Sequence, residues 1–197
     1  KNSIGQLSVD FNKLSQIVIL GAGYDTRALR LNSLNGKVVF EVDYDEVLSE
    51  KRRLISLHNI KPLCAYHILV PLDISQQSLT RLLPNYGFND HLPTLWIVEA
   101  LTGYLSKEEN LKMFDRIKEL SQPGSHLIST FVGESGEAYG PGSGVSKKHV
   151  FFTDESEVYF KQNGWQAFQR KIYEYAKVYN REDLLMNYDY WITVASI

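Results

Sequence analysis

The chain has 197 residues, of which 44% are hydrophobic, and its 21 basic and 23 acidic side chains give a formal net charge of −2. This apolar content is sufficient for one sizeable core, so we expect a single α/β domain over residues 1–197. The charge balance lacks the basic excess of a nucleic-acid-binding surface. No apolar run approaches the roughly 20 residues that cross a bilayer, and Cys64 is the only cysteine. These features predict a cytoplasmic protein without a nucleic-acid or membrane partner.

The first informative stretch is residues 16–27. Residues 17–20 are apolar and mostly β-branched, which predicts a strand that is buried on both faces. Gly21 and Gly23 follow and permit a tight turn, and Asp25 or Thr26 suits the start of a helix. A strand, a glycine turn and a helix in direct succession are typical of a nucleotide-cofactor loop, although a glycine pair alone is also compatible with a plain turn.

The loop departs from the fingerprint of dinucleotide-binding proteins. Thr26 occupies the position of the third glycine, and Asp25 places a negative charge where a pyrophosphate would lie. The loop therefore favours a cationic ligand over an anionic one. An NAD-dependent oxidoreductase remains an alternative, because such an enzyme would share the glycine turn and a downstream acid.

Acidic residues close each of four predicted strands. Further strands are expected over residues 37–43, 66–73 and 94–99. The acids that follow the four strands are Asp25, Asp43, Asp73 and Glu99. In a parallel sheet they would converge on the carboxyl edge, where such folds bind ligands. S-adenosylmethionine carries a sulfonium, an ammonium, ribose hydroxyls and an adenine amino group, all of which are satisfied by carboxylate or carbonyl acceptors.

Several motifs in this order resemble the leucine carboxyl methyltransferase family, which includes bacterial and polyketide O-methyltransferases. The motifs are residues 19–27, 40–43, 71–73 and 99–105. The resemblance covers most of residues 16–130. It implies a Rossmann-like class I methyltransferase fold of the α/β class, with a mostly parallel seven-stranded sheet and a terminal antiparallel hairpin. It also implies S-adenosyl-L-methionine as the cofactor.

The resemblance assigns the methionine end of this cofactor to one group of residues. Gly21 and Gly23 would lie close to the methionine part, with Asp25 in the same loop, and Glu99 would face the amino group. Family members usually carry an upstream arginine that pairs with the cofactor carboxylate. Residues 1–13 contain no convincing counterpart, so the upstream region is expected to be absent or incomplete in this chain.

The resemblance assigns the adenosine end of the cofactor and the acceptor side of the site to a second group of residues. Asp43 would bind the ribose hydroxyls, and Asp73 with the backbone of Ile74 would contact the adenine. Tyr104 matches a tyrosine on the substrate side and is the candidate catalytic residue. No metal-ligand pattern is predicted.

The predicted reaction is methyl transfer to an oxygen of a small molecule or of a protein C-terminus. A carboxylate acceptor is ionised at neutral pH and needs no general base, whereas a hydroxyl acceptor does. The base candidates for a hydroxyl are His126, His149 and Tyr104. A non-catalytic relative that retains the cofactor pocket is a further alternative.

Other segments carry local predictions. Helices are expected over residues 45–57, with Leu57 among the inward positions, over 75–83, and over 106–120 with a capping box at Ser106. The basic residues 51–53 are interpreted as a solvent-facing helix surface. Glycine-rich residues 133–150 are expected to form a flexible lid or loop, and residues 168–179 and 188–197 a terminal strand pair.

Overall fold

The computed structural model describes residues 11–135, 148–181 and 189–197. Its strands are β1 Gln16–Leu20, β2 Val38–Asp43, β3 Tyr66–Pro71, β4 Thr94–Val98, β5 His126–Val132, β6 Gln166–Lys171 and β7 Tyr190–Ser196. Its α-helices are α1 Arg27–Arg30, α2 Asp45–Leu57, α3 Leu79–Leu82, α4 Lys107–Glu119, α5 Ser156–Gln162 and α6 Ile172–Val178. Short 3-10 turns lie at Phe11–Lys13, Asn32–Leu34, Leu83–Tyr86 and Thr102–Tyr104.

The strands form one seven-stranded sheet in the order β3-β2-β1-β4-β5-β7-β6. Strands β1 to β5 are parallel, and β7 runs antiparallel between β5 and β6. Leu20 of β1 lies opposite Val42 of β2 and Val98 of β4, so β1 and β4 end at the same level and β2 ends one residue later, at Asp43. The predicted mostly parallel sheet with a terminal antiparallel pair is confirmed.

The two faces of β1 contribute to separate apolar clusters. Val18 and Leu20 pack in one cluster, and Ile17 and Ile19 pack in the other, as the alternation of side chains along a strand requires. All five residues of β1 are buried, so the prediction of a strand covered on both faces is confirmed. Helices on both faces are what a parallel sheet needs, because its βα crossovers place them there.

Helix α2 spans the predicted residues, but its buried face differs from the prediction. Leu57 is 64% exposed, whereas Lys51 is only 3% exposed. Lys51 lies on the same helix face as buried Leu48, three residues earlier, and its ammonium pairs with Glu41 in the middle of β2. The interpretation of Lys51 as solvent-facing is wrong, because the fully buried carboxylate of Glu41 requires a counter-charge.

Helix α4 begins with the predicted capping box. The Ser106 hydroxyl accepts a hydrogen bond from the Glu109 N–H at 3.2 Å, and the Glu109 carboxylate accepts one from the Ser106 N–H at 2.7 Å. Buried Asn110 donates to the carbonyls of Thr102 at 2.8 Å and Leu105 at 3.0 Å. The segment between β4 and α4 is therefore fixed by side chains of the helix that follows it.

Two predicted elements are shorter than expected. The helix predicted to start at residue 75 begins only at Leu79, because the Asp73 carboxylate accepts hydrogen bonds from the N–H and hydroxyl of Ser75 and holds a turn there. The predicted strand over residues 168–179 ends at Lys171, which pairs with Trp191 near the start of β7. Residues 172–178 instead form helix α6, which satisfies its own backbone.

Most of the lid predicted over residues 133–150 lies outside the described residues, as do the first ten residues of the chain. Within the described ranges, none of the helices has the length and apolar character needed to cross a membrane.

Candidate functional site

The loop after β1 has the backbone conformation that its glycines predict. Gly21 and Gly23 have φ angles of +64° and +47°, in the left-handed region that side chains rarely adopt. A Cβ added at Gly21 would lie 3.1 Å from the Leu101 side chain, whereas one added at Gly23 would have no atom of the described residues within 4 Å. The loop packs closely against Leu101, and none of the described residues fills the space above Gly23, so a ligand can approach the backbone there.

Asp43, at the end of β2, is tied to this loop. Its Oδ2 accepts a hydrogen bond from the Gly23 N–H at 2.7 Å, and its Oδ1 accepts one from the Tyr44 N–H at 2.7 Å. A carboxylate offers about four lone-pair sites, so both oxygens can accept further bonds. The fixed and half-buried Asp43 side chain is suited to accept hydrogen bonds from two adjacent hydroxyls.

Asp73 and Ile74 follow β3, so they lie next to Asp43 on the side away from the glycine loop. Asp73 Oδ1 accepts hydrogen bonds from the Ser75 N–H at 2.9 Å and the Ser75 hydroxyl at 2.6 Å. The Ile74 side chain is buried in the core. Within the part of the chain that the structure describes, the Ile74 N–H has no hydrogen-bond partner. This corner therefore combines a carboxylate with a free backbone donor, as recognition of an aminated base requires.

Arg27 joins the two remaining acids. Its Nε donates to Asp25 Oδ2 at 2.6 Å, and its Nη2 also contacts that carboxylate and donates to Glu99 Oε2 at 2.9 Å. The Asp25 side chain is 7% exposed and that of Glu99 is 56% exposed. Burial acts to raise the pKa of Asp25, but the hydrogen bonds and charge of Arg27 outweigh it and hold this pKa below its usual value. Arg27 thus joins a nearly buried carboxylate, that of Asp25, to a solvent-exposed one, that of Glu99.

Arg27 is not among the site residues predicted from the sequence. The local sequence does contain a signal for Arg27, because an arginine two residues after an aspartate in a turn can donate a hydrogen bond to the carboxylate of that aspartate. Its bond to Glu99 joins residues 72 positions apart and has no local signature.

The predicted acids do meet at one edge of the sheet. The order β3-β2-β1-β4 places Asp73, Asp43, the glycine loop and Glu99 one after another along that edge. Neighbouring strands are about 4.8 Å apart, so the three intervals span roughly 14 Å. This arrangement suits an elongated ligand that presents hydrogen-bond donors and cationic groups to successive carboxylates.

A buried charge cluster lies between β2, β3 and α2. Lys51 Nζ contacts Glu41 Oε2, and His67 Nε2 lies 3.1 Å from the same oxygen. The pKa of Asp25 is raised by burial and lowered mainly by Arg27, and the Lys51 ammonium adds a smaller lowering effect. Glu41 inside an apolar run is the signal by which the sequence could have identified this cluster, because such a charge is rarely buried unpaired.

Tyr104 and His149 form an aromatic pair beyond Glu99. Their ring centroids are 4.5 Å apart, and together with Gly103 and Thr130 they line a cavity of about 120 Å³ at the ends of β4 and β5. Burial lowers the pKa of His149, so its imidazole is neutral at neutral pH. Tyr104 is 47% exposed. A partly exposed tyrosine can orient an acceptor, and a neutral histidine beside it can receive a proton.

A second, larger cavity of about 950 Å³ lies between α4, α5 and residues 150–155. Its lining includes Phe114, Phe151 and Tyr159, and it shares Phe131 with the smaller cavity. Its lining does not include the acids of the sheet edge, Asp25, Asp43, Asp73 and Glu99.

The chain resembles known proteins in sequence and in fold. The sequence profile of the family described as Leucine carboxyl methyltransferase matches residues 6–118. A protein of Mycobacterium marinum named "Putative S-adenosyl-L-methionine-dependent methyltransferase" is 36% identical over 128 residues, which cover 65% of this chain and 42% of that protein. One of the same name from a Mycobacterium species (strain JLS) is 31% identical over 169 residues, or 78% of this chain and 56% of the other. The chain spans about half the length of these curated relatives.

Solved structures share the fold at low sequence identity. An O-methyltransferase family protein from Burkholderia thailandensis superposes with a TM-score of 0.64 at 14% identity, over 97% of this chain and 53% of that one. A DUF574 family protein from Streptomyces avermitilis superposes with a TM-score of 0.72 at 14% identity, over 95% and 77% of the two chains. These likenesses establish the class I methyltransferase fold. Because the family profile covers more than half of its residues, the chain belongs to the leucine carboxyl methyltransferase family.

Proposed function

We propose that this chain binds S-adenosyl-L-methionine along the carboxyl edge of the sheet and transfers its methyl group to an oxygen of the acceptor. The observation that carries the proposal is the Gly23 loop, which leaves open space and is bonded to Asp43 at 2.7 Å, between Asp73 on one side and Glu99 on the other. The acids match the donors of this cofactor in kind and in order. Asp73 and Ile74 would contact the adenine, Asp43 the ribose, and Gly21, Gly23 and Glu99 the methionine part.

The cofactor supplies a methyl group that its positive sulfonium makes electrophilic, so the protein mainly has to orient the acceptor and exclude water. Tyr104, beside the small cavity, would position the acceptor oxygen. A carboxylate acceptor needs no proton transfer. A hydroxyl acceptor does, and His149 is the best-placed base, because burial keeps its imidazole neutral.

Oxygen methylation of a small molecule or of a peptide carboxylate is the form of the reaction that we favour. The support comes from membership of the leucine carboxyl methyltransferase family. A carboxylate acceptor also needs no general base.

Methyl-labelled S-adenosylmethionine, incubated with the chain and a panel of carboxylic acids, phenols and amines, tests the oxygen specificity. We expect label on an oxygen acceptor. The rate with a carboxylate should be flat between about pH 6 and pH 8, because that group is already ionised. Preferential labelling of an amine would contradict the proposal.

A further inference from the structure

The proposed site places several carboxylates around the methionine end of the cofactor, and that end is itself a zwitterion. Its ammonium suits Glu99, whose side chain is 56% exposed. Its carboxylate would be repelled by Glu99 and Asp25 unless a cation intervened. Arg27 lies directly between these two acids and contacts both.

The guanidinium of Arg27 has donors to spare. Three of its five N–H groups are directed at Asp25 and Glu99, through Nε and Nη2. Across the described ranges, Nη1 has no hydrogen-bond partner, and the side chain is 25% exposed. An arginine that is fixed through Nε and Nη2 and has Nη1 without a partner can donate to a carboxylate without a change of rotamer.

The two acids prepare Arg27 for this role. Asp25 is nearly buried and also accepts the Arg27 backbone N–H at 2.6 Å, so it holds the arginine at both its main chain and its side chain. Glu99 holds Nη2 from the end of the neighbouring strand β4. This preorganisation lowers the ordering cost of ligand binding.

We infer that Arg27 binds the carboxylate of the methionine part of the cofactor, while Glu99 beside it binds the ammonium. This assignment rests on the proposed function and adds to it a partner for the anionic group of the ligand from within this chain. Arg27, Glu99 and the ligand's amino-acid group would then form an alternating set of charges.

The test compares two ligands that differ only in the carboxylate. S-adenosylhomocysteine carries it, and decarboxylated S-adenosylhomocysteine keeps the ammonium but lacks it. Calorimetry should show that Arg27→Met weakens binding of the first ligand by about 30-fold, the effect of losing a charge-assisted hydrogen bond, and leaves the second unchanged or tighter. Equal weakening of both ligands, or no weakening of either, would overturn the inference.

Two further variants keep the result interpretable. Arg27→Lys retains a positive charge beside Asp25 but loses the planar fork, so it should fold if Arg27→Met does not, and it should still discriminate between the ligands in the same direction. Arg30→Met, on the same helix, removes an arginine that bonds to Thr26 and should change neither affinity. If the unaltered chain binds neither ligand, it is the proposed function that fails.

Discussion

Replacing Asp43 with alanine should weaken binding of S-adenosylhomocysteine by about 100-fold or more. Two ribose hydroxyls would lose a charged acceptor, and hydrogen bonds to charged groups contribute about 1.5–3 kcal/mol each. The Gly23 and Tyr44 N–H groups would lose their acceptor as well, so the loop would hold its open conformation less firmly. Calorimetric titration of the variant measures this loss.

The controls for this experiment separate charge from shape. Asp43→Asn keeps an oxygen acceptor but removes the charge, so its affinity should fall between those of the alanine variant and the unaltered chain. Asp90→Ala removes an exposed aspartate that precedes β4, at the opposite edge of the sheet, and should bind normally. An unchanged affinity in Asp43→Ala would mean that the ribose is held elsewhere.

Breaking the buried pair between Glu41 and Lys51 should cause the largest loss of stability. Either Glu41→Met or Lys51→Met leaves one charge buried without its partner, which typically costs about 3–5 kcal/mol in the free energy of unfolding. The double variant Glu41→Met with Lys51→Met should recover most of this loss, because two apolar side chains replace both charges. Urea unfolding of the four proteins measures these differences.

Arg53→Met provides the matched control on the same helix. Arg53 pairs with Glu50 at 2.7 Å, but both side chains are exposed, so the substitution should have no measurable effect on stability. If Lys51→Met were as mild as Arg53→Met, the ammonium of Lys51 would not be the counter-charge that Glu41 requires. His67, 3.1 Å from Glu41, would then be the group to examine.

The elements that could be predicted from the sequence are those with strong local signals. The apolar run of β1, the glycine turn after it and the capping box of α4 each depend on residues within a few positions of one another. The acids that follow four strands could be placed at one edge because parallel strands share their direction. The helix in residues 172–178 could not be foreseen, because its aromatic and β-branched residues favour a strand by their composition.

The site residues that were missed owe their roles to partners far along the chain. The local sequence identifies Arg27 only as a helix residue, because its partner Glu99 comes close to it only in the folded chain. Lys51 is one of three consecutive basic residues, a pattern that indicates a solvent-facing surface. Its burial follows from the position of Glu41 on the neighbouring strand β2. Periodicity identifies which face of an element is apolar, but it does not identify which charges will be buried together.

Titration of the chain with S-adenosylhomocysteine, and in parallel with NADH, tests the central claim most directly. We predict micromolar binding of S-adenosylhomocysteine and none of NADH, because the acids along the sheet edge accept from hydroxyls and cations and would repel a pyrophosphate. Binding of NADH in preference to S-adenosylhomocysteine would contradict the account. It would mean that the loop between Gly21 and Thr26 accepts phosphates despite Asp25.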